Sequence, residues 1–87
     1  MSYSRGNNMH KVDLLELISS TLGCHISEIN MQSGLLNHYL WESLAHIEII
    51  MAIETDYHVV IPDDLIAKLD TVEKIFKCLL NLGVIDE

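Results

Sequence analysis

Apolar residues recur at helical spacing near the start of the chain, and they predict a first helix that ends at Leu22. Asn7 or Asn8 is suited to cap its start, and Gly23 follows where a left-handed C-terminal cap belongs. The apolar positions of this helix are Val12, Leu14, Leu15, Leu17, Ile18 and Leu22. Residues 1–8 are polar, which predicts a flexible N-terminus.

The second helix is predicted to begin at Glu42–Ser43 and to end at about Tyr57. Three β-branched residues at 59–61 and then Pro62 resist the helical region and end it. A short strand over residues 59–61 is the alternative, but the sequence offers no second strand to pair with it.

Two more helices are predicted near the C-terminus. Pro62 suits the first position of a short third helix. Asp70 and Glu73 have the spacing of a capping box and predict the start of a fourth helix, which Gly83 ends. The apolar positions of this fourth helix are Val72, Ile75, Phe76, Leu79 and Leu80.

The connection over residues 24–41 is long for a compact domain, so we expect its apolar residues and a turn of helix to hold it against the core. Those residues are Ile26, Ile29, Leu35, Leu36 and Leu40. The elements together predict an all-α four-helix bundle with three main helices, one short helix and a long loop between the first two. The domain is predicted over residues 9–83, with a C-terminal tail at 84–87.

The second helix has apolar residues on two of its sides. At about 100° per residue, one side faces the predicted core; it holds His46, Ile49, Ile50, Ile53 and Tyr57. The other side mixes apolar and acidic residues around a serine; it holds Ser43, Leu44, Ile47, Glu48, Met51 and Glu54. Burial of both sides would place two carboxylates in the core with no cation near them in the sequence. The pattern therefore favours an exposed docking face.

Acidic residues outnumber basic ones by 13 to 5, which gives a net charge of −8. No Lys or Arg occurs between Val12 and Ala67. Such a surface excludes nucleic acid and an anionic membrane as natural partners, because both require clustered cations. A basic protein surface is the complementary partner, and simple solubility is the alternative explanation of the charge.

The sequence shows no apolar export segment and no membrane-spanning run, so a cytoplasmic protein is expected. Cys24 and Cys78 are predicted to be buried free thiols. The five histidines form no metal-ligand spacing, so no metal site is predicted. His58 falls on the docking face and is interpreted as an ordinary surface residue. Trp41 has two open interpretations: it shields or binds something near Ser43, or it packs against the helix that follows.

Ser43 can be interpreted as an N-cap or as a functional hydroxyl. The position three residues later is His46, so a full capping box is missing. Nucleophilic catalysis would require a base and a nucleophile-elbow motif, and neither is evident in this short chain. An enzyme is not predicted.

The stretch around Ser43 resembles the acyl carrier proteins, whose mark is Asp-Ser-Leu at the start of an acidic second helix. That mark reads Glu42-Ser43-Leu44 in this chain. The resemblance continues through Glu48, the Met-Ala-hydrophobic-Glu of 51–54, the aromatic at 57, Ile-Pro-Asp at 61–63 and Thr-Val at 71–72. It covers about residues 10–80 and implies the acyl-carrier-like bundle.

The resemblance implies a 4'-phosphopantetheine arm on Ser43, placed there by a phosphopantetheinyl transferase from coenzyme A with magnesium. The terminal thiol of the arm would carry acyl groups as thioesters to acyl-transferring or condensing enzymes of a fatty-acid, polyketide or specialised pathway. The carrier would be a monomer without catalytic activity of its own. The implied docking residues are Glu42, Leu44, Ile47, Glu48, Met51, Glu54 and Asp56.

The approach to Ser43 departs from the family pattern. Glu42 replaces the usual aspartate. In place of the family's Glu-Asp-Leu-Gly approach stand Asn37, His38, Tyr39, Leu40 and Trp41, so two acids and a glycine are absent, and Leu40 and Trp41 are bulky. These departures suggest a specialised carrier with its own transferase. They also leave open an unmodified adaptor with the same fold. A peptidyl, aryl or D-alanyl carrier is the other alternative, and the acidic second helix argues against it.

Overall fold

The computed structural model describes residues 9–86, which form four α-helices and one 3-10 turn. The helices are α1 (Lys11–Leu22), α2 (Ser43–Tyr57), α3 (Asp63–Ile66) and α4 (Val72–Leu82), and the 3-10 turn is Ile26–Glu28. In this part of the chain two isolated backbone bridges occur but no strand. The predicted all-α bundle with three main helices and one short helix is confirmed.

The core lies between α1, α2 and α4. The predicted inner side of α2 is buried at every position, namely His46, Ile49, Ile50, Ile53 and Tyr57. The helix α4 adds Val72, Ile75, Phe76 and Leu79, as its stripe predicts, while Leu80 is half-buried. Across residues 9–86, every helix is too short or too polar to cross a bilayer.

The helix α1 begins later than the sequence suggests. Its N-cap is His10, in an extended conformation, and Asp13 accepts the backbone N–H of His10 at 2.7 Å. The predicted caps at Asn7 or Asn8 are therefore wrong as the start of this helix, and both lie outside the described residues. At the other end Gly23 has φ 80°, so the predicted left-handed cap is confirmed.

The helix α4 begins at Val72 with Thr71 as its N-cap, so the predicted capping box from Asp70 is wrong. The Thr71 hydroxyl oxygen accepts the backbone N–H of Lys74 at 3.2 Å. The Asp70 carboxylate instead pairs with the Lys74 ammonium at 2.9 Å, and this pair lowers the pKa of Asp70. Gly83 ends the helix with φ 76°, as predicted.

The segment between α2 and α4 is mostly irregular. Residues 59–61 have no regular secondary structure and form no backbone bridge, so the strand alternative is not realised among the described residues. Pro62 is the N-cap of α3 and not its first residue, because its ψ of 143° is extended. Asp63 and Asp64 occupy the first turn of α3.

Both backbone hydrogen bonds and apolar packing hold the long loop in place. The carbonyl oxygens of Ser33 and Met31 accept the N–H groups of Val72 and Glu73, both at 2.9 Å. Of the predicted apolar anchors only Ile29 is fully buried; Ile26, Leu35 and Leu40 are half-buried. The prediction was wrong for Leu36, which is 88% exposed.

The packed region extends past Gly83. Ile85 is buried and forms a parallel bridge with Met9, and the N–H of Asp86 donates to the Met9 carbonyl at 2.7 Å. The segment that the sequence suggests as a tail thus packs against Met9, just before α1.

Candidate functional site

The first turn of α2 presents a serine hydroxyl to solvent. Glu42 is the N-cap, with φ −105° and ψ −176°, and its carbonyl accepts the N–H of His46 at 2.8 Å. Ser43 is therefore the first helical residue, and the interpretation of Ser43 as an N-cap is wrong. Ser43 is exposed, and no hydrogen bond within residues 9–86 uses its hydroxyl. The hydroxyl is free to react or to be modified.

A buried chain of hydrogen bonds lies beside this serine. The Trp41 indole N–H donates to Nδ1 of His46 at 3.0 Å, and Nε2 of His46 lies 2.7 Å from the Ile66 carbonyl oxygen. Because Nδ1 accepts a hydrogen bond from Trp41, the ring hydrogen is on Nε2, which donates a hydrogen bond to the Ile66 carbonyl. Trp41 is 1% exposed, so it packs against α2, and the shielding or partner-binding interpretation is not supported. The sequence alone did not indicate His46 as a polar bridge.

The positive end of α2 is not neutralised by acids in its own first turn. The first turns of α1, α3 and α4 each carry at least one aspartate or glutamate, whereas that of α2 has none. The N–H groups of the first three residues of a helix have no partner inside it, and they favour an anion together with the helix dipole. A phosphodiester on the Ser43 oxygen would lie at this end.

The side of α2 that carries Ser43 exposes three apolar residues. Leu44 is 65% exposed, Ile47 44% and Met51 60%. Glu42, Glu48 and Asp56 are also exposed on this helix or at its start, whereas Glu54 is half-buried. The docking role of these residues stays a prediction. The two ion pairs found within residues 9–86 join Lys74 to Asp70 and Lys77 to Glu73, so the acids of α2 have no ion-pair partner in that region.

Two residues near the end of α2 are engaged locally. The Glu54 carboxylate is half-buried and accepts the backbone N–H of Ile61 at 2.8 Å, which fixes the chain as it leaves the helix. His58 is exposed and adopts a left-handed conformation with φ 55° as the C-cap of α2. Glu54 thus contributes to local structure as well as to the surface charge.

The structure gathers three residues in the long loop that the sequence analysis did not connect: Cys24, Glu28 and His38, here called the loop cluster. Their candidate ligand atoms lie within 4.8 Å of one another. Burial and the Glu28 carboxylate raise the pKa of the Cys24 thiol. No motif indicated the cluster, because its members come from three turns of an irregular segment.

Two of the three side chains of the loop cluster, those of Glu28 and His38, already have hydrogen-bond partners. The Tyr39 hydroxyl donates to Glu28 at 3.2 Å, and this carboxylate raises the pKa of Tyr39. The backbone N–H of Leu40 donates to Nδ1 of His38 at 3.2 Å. The cluster is therefore a hydrogen-bonded part of the loop, and the absence of a metal site stays a prediction.

A comparison with protein families shows which family this chain belongs to. The family model described as a phosphopantetheine attachment site matches residues 12–79, which is more than three quarters of the chain. The match contains all of α2 and α3 and most of α1 and α4.

Proposed function

Since this chain belongs to the phosphopantetheine attachment family, we propose that it is an acyl carrier protein whose 4'-phosphopantetheine arm is attached to Ser43. Members of the family serve as attachment sites for the covalently bound 4'-phosphopantetheine group. This group supplies a terminal thiol that holds an acyl group as a thioester.

The observation that carries the proposal is the free hydroxyl of Ser43 in the first turn of α2. Attachment needs an oxygen that a transferase can reach, and Ser43 is exposed and unbonded within residues 9–86. The product needs a place for a phosphodiester, and the N-terminus of α2 offers backbone N–H groups with no acid in the first turn, although the N-cap Glu42 is acidic. The residues present at this site therefore fit the group.

In the attachment step, the Ser43 oxygen forms a bond to the phosphorus next to the pantetheine moiety of coenzyme A. The pyrophosphate bond of coenzyme A breaks, adenosine bisphosphate leaves, and the serine proton passes to a base of the transferase. The carrier contributes only the positioned hydroxyl. We propose that it likewise catalyses no step of the later acyl transfers.

The exposed residues of α2 are proposed to dock the partner enzymes. Leu44, Ile47 and Met51 supply apolar contacts, and Glu42, Glu48, Glu54 and Asp56 face basic groups on the partner. Exposed ion pairs contribute only about 0.2–1 kcal/mol each, so they steer encounter more than they tighten binding. Weak contacts of this kind suit a carrier that must move between a transferase and acyl-transferring or condensing enzymes.

Intact mass spectrometry tests the attachment site. The protein is incubated with coenzyme A, magnesium and a broad-specificity phosphopantetheinyl transferase, beside Ser43→Ala and the matched control Ser20→Ala, an exposed helical serine of α1. We expect a gain of one phosphopantetheine in the wild type and in Ser20→Ala but not in Ser43→Ala. No gain in any sample, including protein from the native source, would instead favour an unmodified adaptor.

A second experiment tests the docking face. Ile47→Ser and Leu82→Ser change apolar residues of similar exposure, 44% and 49%, on α2 and α4. We expect kcat/KM of the modification reaction to fall for Ile47→Ser and to stay unchanged for Leu82→Ser. Equal effects of the two substitutions would contradict a specific docking role for α2.

A further inference from the structure

We propose that the acyl cargo of this carrier stays outside the helix bundle, because Trp41 and His46 close the bundle at the end that bears Ser43. The inference rests on the proposed attachment at Ser43. An apolar acyl chain lowers its free energy when it leaves water, so entry into the bundle would be favourable if a path existed. The question is whether such a path is present.

Side chains and backbone of three elements meet near the start of α2. Trp41 lies two positions before Ser43 and is buried, with its ring stacked on that of His46 at a centroid distance of 6.0 Å. His46 lies one turn into α2 and is bonded to the carbonyl of Ile66, the last residue of α3. The hydrogen bonds of His46 thus join the loop, α2 and α3 where an acyl chain on Ser43 would enter the bundle, here called the entrance. No pocket opens anywhere in residues 9–86.

Opening this entrance would break bonds that have no replacement. Both ring nitrogens of His46 are used, one by the Trp41 N–H and one by the Ile66 carbonyl. A cargo chain made of methylene groups can neither accept from Trp41 nor donate to Ile66. Its insertion would leave the buried Trp41 N–H unpaired, and that cost opposes the gain from burying the chain. A closed entrance is therefore the favoured state.

Outside the bundle, the surface nearest the arm is the exposed strip of α2. Leu44 follows Ser43 directly, and Ile47 and Met51 continue the strip over the next two turns. This strip is also the proposed docking face, so a long apolar cargo would compete there with partner enzymes. The arrangement suits short or polar acyl groups, and we infer that these are the substrate class of this carrier.

The chain provides its own reporter, because Trp41 is its only tryptophan. A transferase would load acetyl-, octanoyl- and dodecanoyl-phosphopantetheine from the corresponding coenzyme A thioesters, and intact mass would confirm the loading. We expect the same Trp41 emission spectrum and melting temperature for all three forms. The rate of thioester cleavage by hydroxylamine should also be independent of chain length, since each thioester remains in solvent.

A change of Trp41 emission, a rise in melting temperature and slower cleavage with the longer chains would overturn the inference. A failure to load Ser43 would be a different result, because it refutes the proposed function itself. Trp41→Leu supplies a positive control, since it removes ring volume at the entrance. Octanoylation should raise the melting temperature of Trp41→Leu. It should not raise that of Leu79→Ala, a control that leaves a cavity at a buried position of α4 and keeps Trp41 and His46 in place.

If Trp41→Leu does not fold, the wild-type measurements still decide the question. His46→Gln then replaces it as the variant that loosens the entrance. A long chain that slows hydroxylamine cleavage in the wild type as much as in His46→Gln would show that the entrance does not control access, and it would contradict the inference.

Discussion

Replacement of His46 by alanine should destabilise the fold strongly, although the residue is polar and belongs to an otherwise apolar side of α2. His46 is buried and is bonded through both ring nitrogens. The alanine variant leaves the Trp41 N–H and the Ile66 carbonyl without their partner. It also removes the ring that stacks on Trp41.

The magnitude follows from these two orphaned groups. A buried donor or acceptor that loses its partner costs about 1–3 kcal/mol. Trp41 is fully buried and incurs this cost in full, whereas Ile66 is half-buried, so water can reach its carbonyl. We expect His46→Ala to lower the free energy of unfolding by about 2–4 kcal/mol, as the sum of these two costs. A domain of this size is stable by only about 4–13 kcal/mol, so the loss is a large fraction.

Urea denaturation followed by far-UV circular dichroism measures this loss without relying on tryptophan emission. A double-mutant cycle with Trp41→Phe isolates the bond between the two rings, and we expect a coupling energy of about 1 kcal/mol. Leu44→Ala is the control on the same helix, and as an exposed change it should lie within about 0.5 kcal/mol of the wild type. A loss below about 1 kcal/mol in His46→Ala, or zero coupling, would refute the reasoning.

Three further predictions concern other parts of the fold. Gly34→Ala should lower the free energy of unfolding by about 1–3 kcal/mol in urea denaturation, since an added Cβ would collide with the Asp70 carbonyl; an unchanged midpoint would contradict this. Tyr57→Phe should raise it by about 1 kcal/mol at neutral pH, because the Tyr57 hydroxyl is buried and has no partner within residues 9–86. Burial, and then two nearby aspartates, raise the pKa of the Tyr57 hydroxyl to about 12, above 10.0 for the ordinary phenol. The unfolded chain therefore loses this proton first as the pH rises, so the free energy of unfolding of the wild type should fall from pH 10 toward 12. An equal alkaline loss in Tyr57→Phe would argue against this cause. Added zinc should leave the melting temperature unchanged, because the Glu28 carboxylate and Nδ1 of His38 are already hydrogen-bonded; a zinc-dependent rise that Cys24→Ser abolishes would contradict the absence of a metal site.

The sequence predicts α2 well because its pattern depends on one helix alone. The helical period separates the buried side from the side that carries Ser43, and the structure buries the first and exposes Leu44, Ile47 and Met51. The end at Tyr57 is equally local, since β-branched residues and Pro62 follow. No distant contact was needed for any of these assignments.

The start of α4 could not be predicted in the same way, because distant backbone groups decide it. Asp70 and Thr71 are both suitable caps by residue type. The carbonyl of Asp70 accepts the N–H of Leu35 at 2.9 Å, and Gly34 forms a bridge with Thr71. These bonds hold residue 70 in contact with the loop, so Thr71 is the N-cap and the helix begins one residue later than predicted. A single sequence does not contain the pairing of residues 34–35 with 70–71.

The loop cluster and the Trp41–His46 pair were missed for a related reason. Each joins side chains whose contact depends on the path of the long loop, which has no periodic pattern. His46 falls on the core side by period, and this position gives no sign that Trp41 needs it as an acceptor. The exposure of Leu36 is the converse case, because an apolar residue in an irregular loop need not face the core.

The buried position of Trp41 changes how the unusual approach to Ser43 should be judged. In the sequence, Leu40 and Trp41 together suggest a bulky surface that would hinder a transferase. In the structure Trp41 is withdrawn into the core and Leu40 is half-buried. The exposed group next to Ser43 on this side is then Glu42, which keeps the acidic character of the family's aspartate.

What remains unusual is Tyr39, which is exposed and hydrogen-bonded to Glu28 of the same long loop. A transferase that modifies Ser43 would therefore contact Tyr39 and Leu40 and not Trp41. The argument for an unmodified adaptor, which depended on a bulky Trp41 at the surface, is correspondingly weaker.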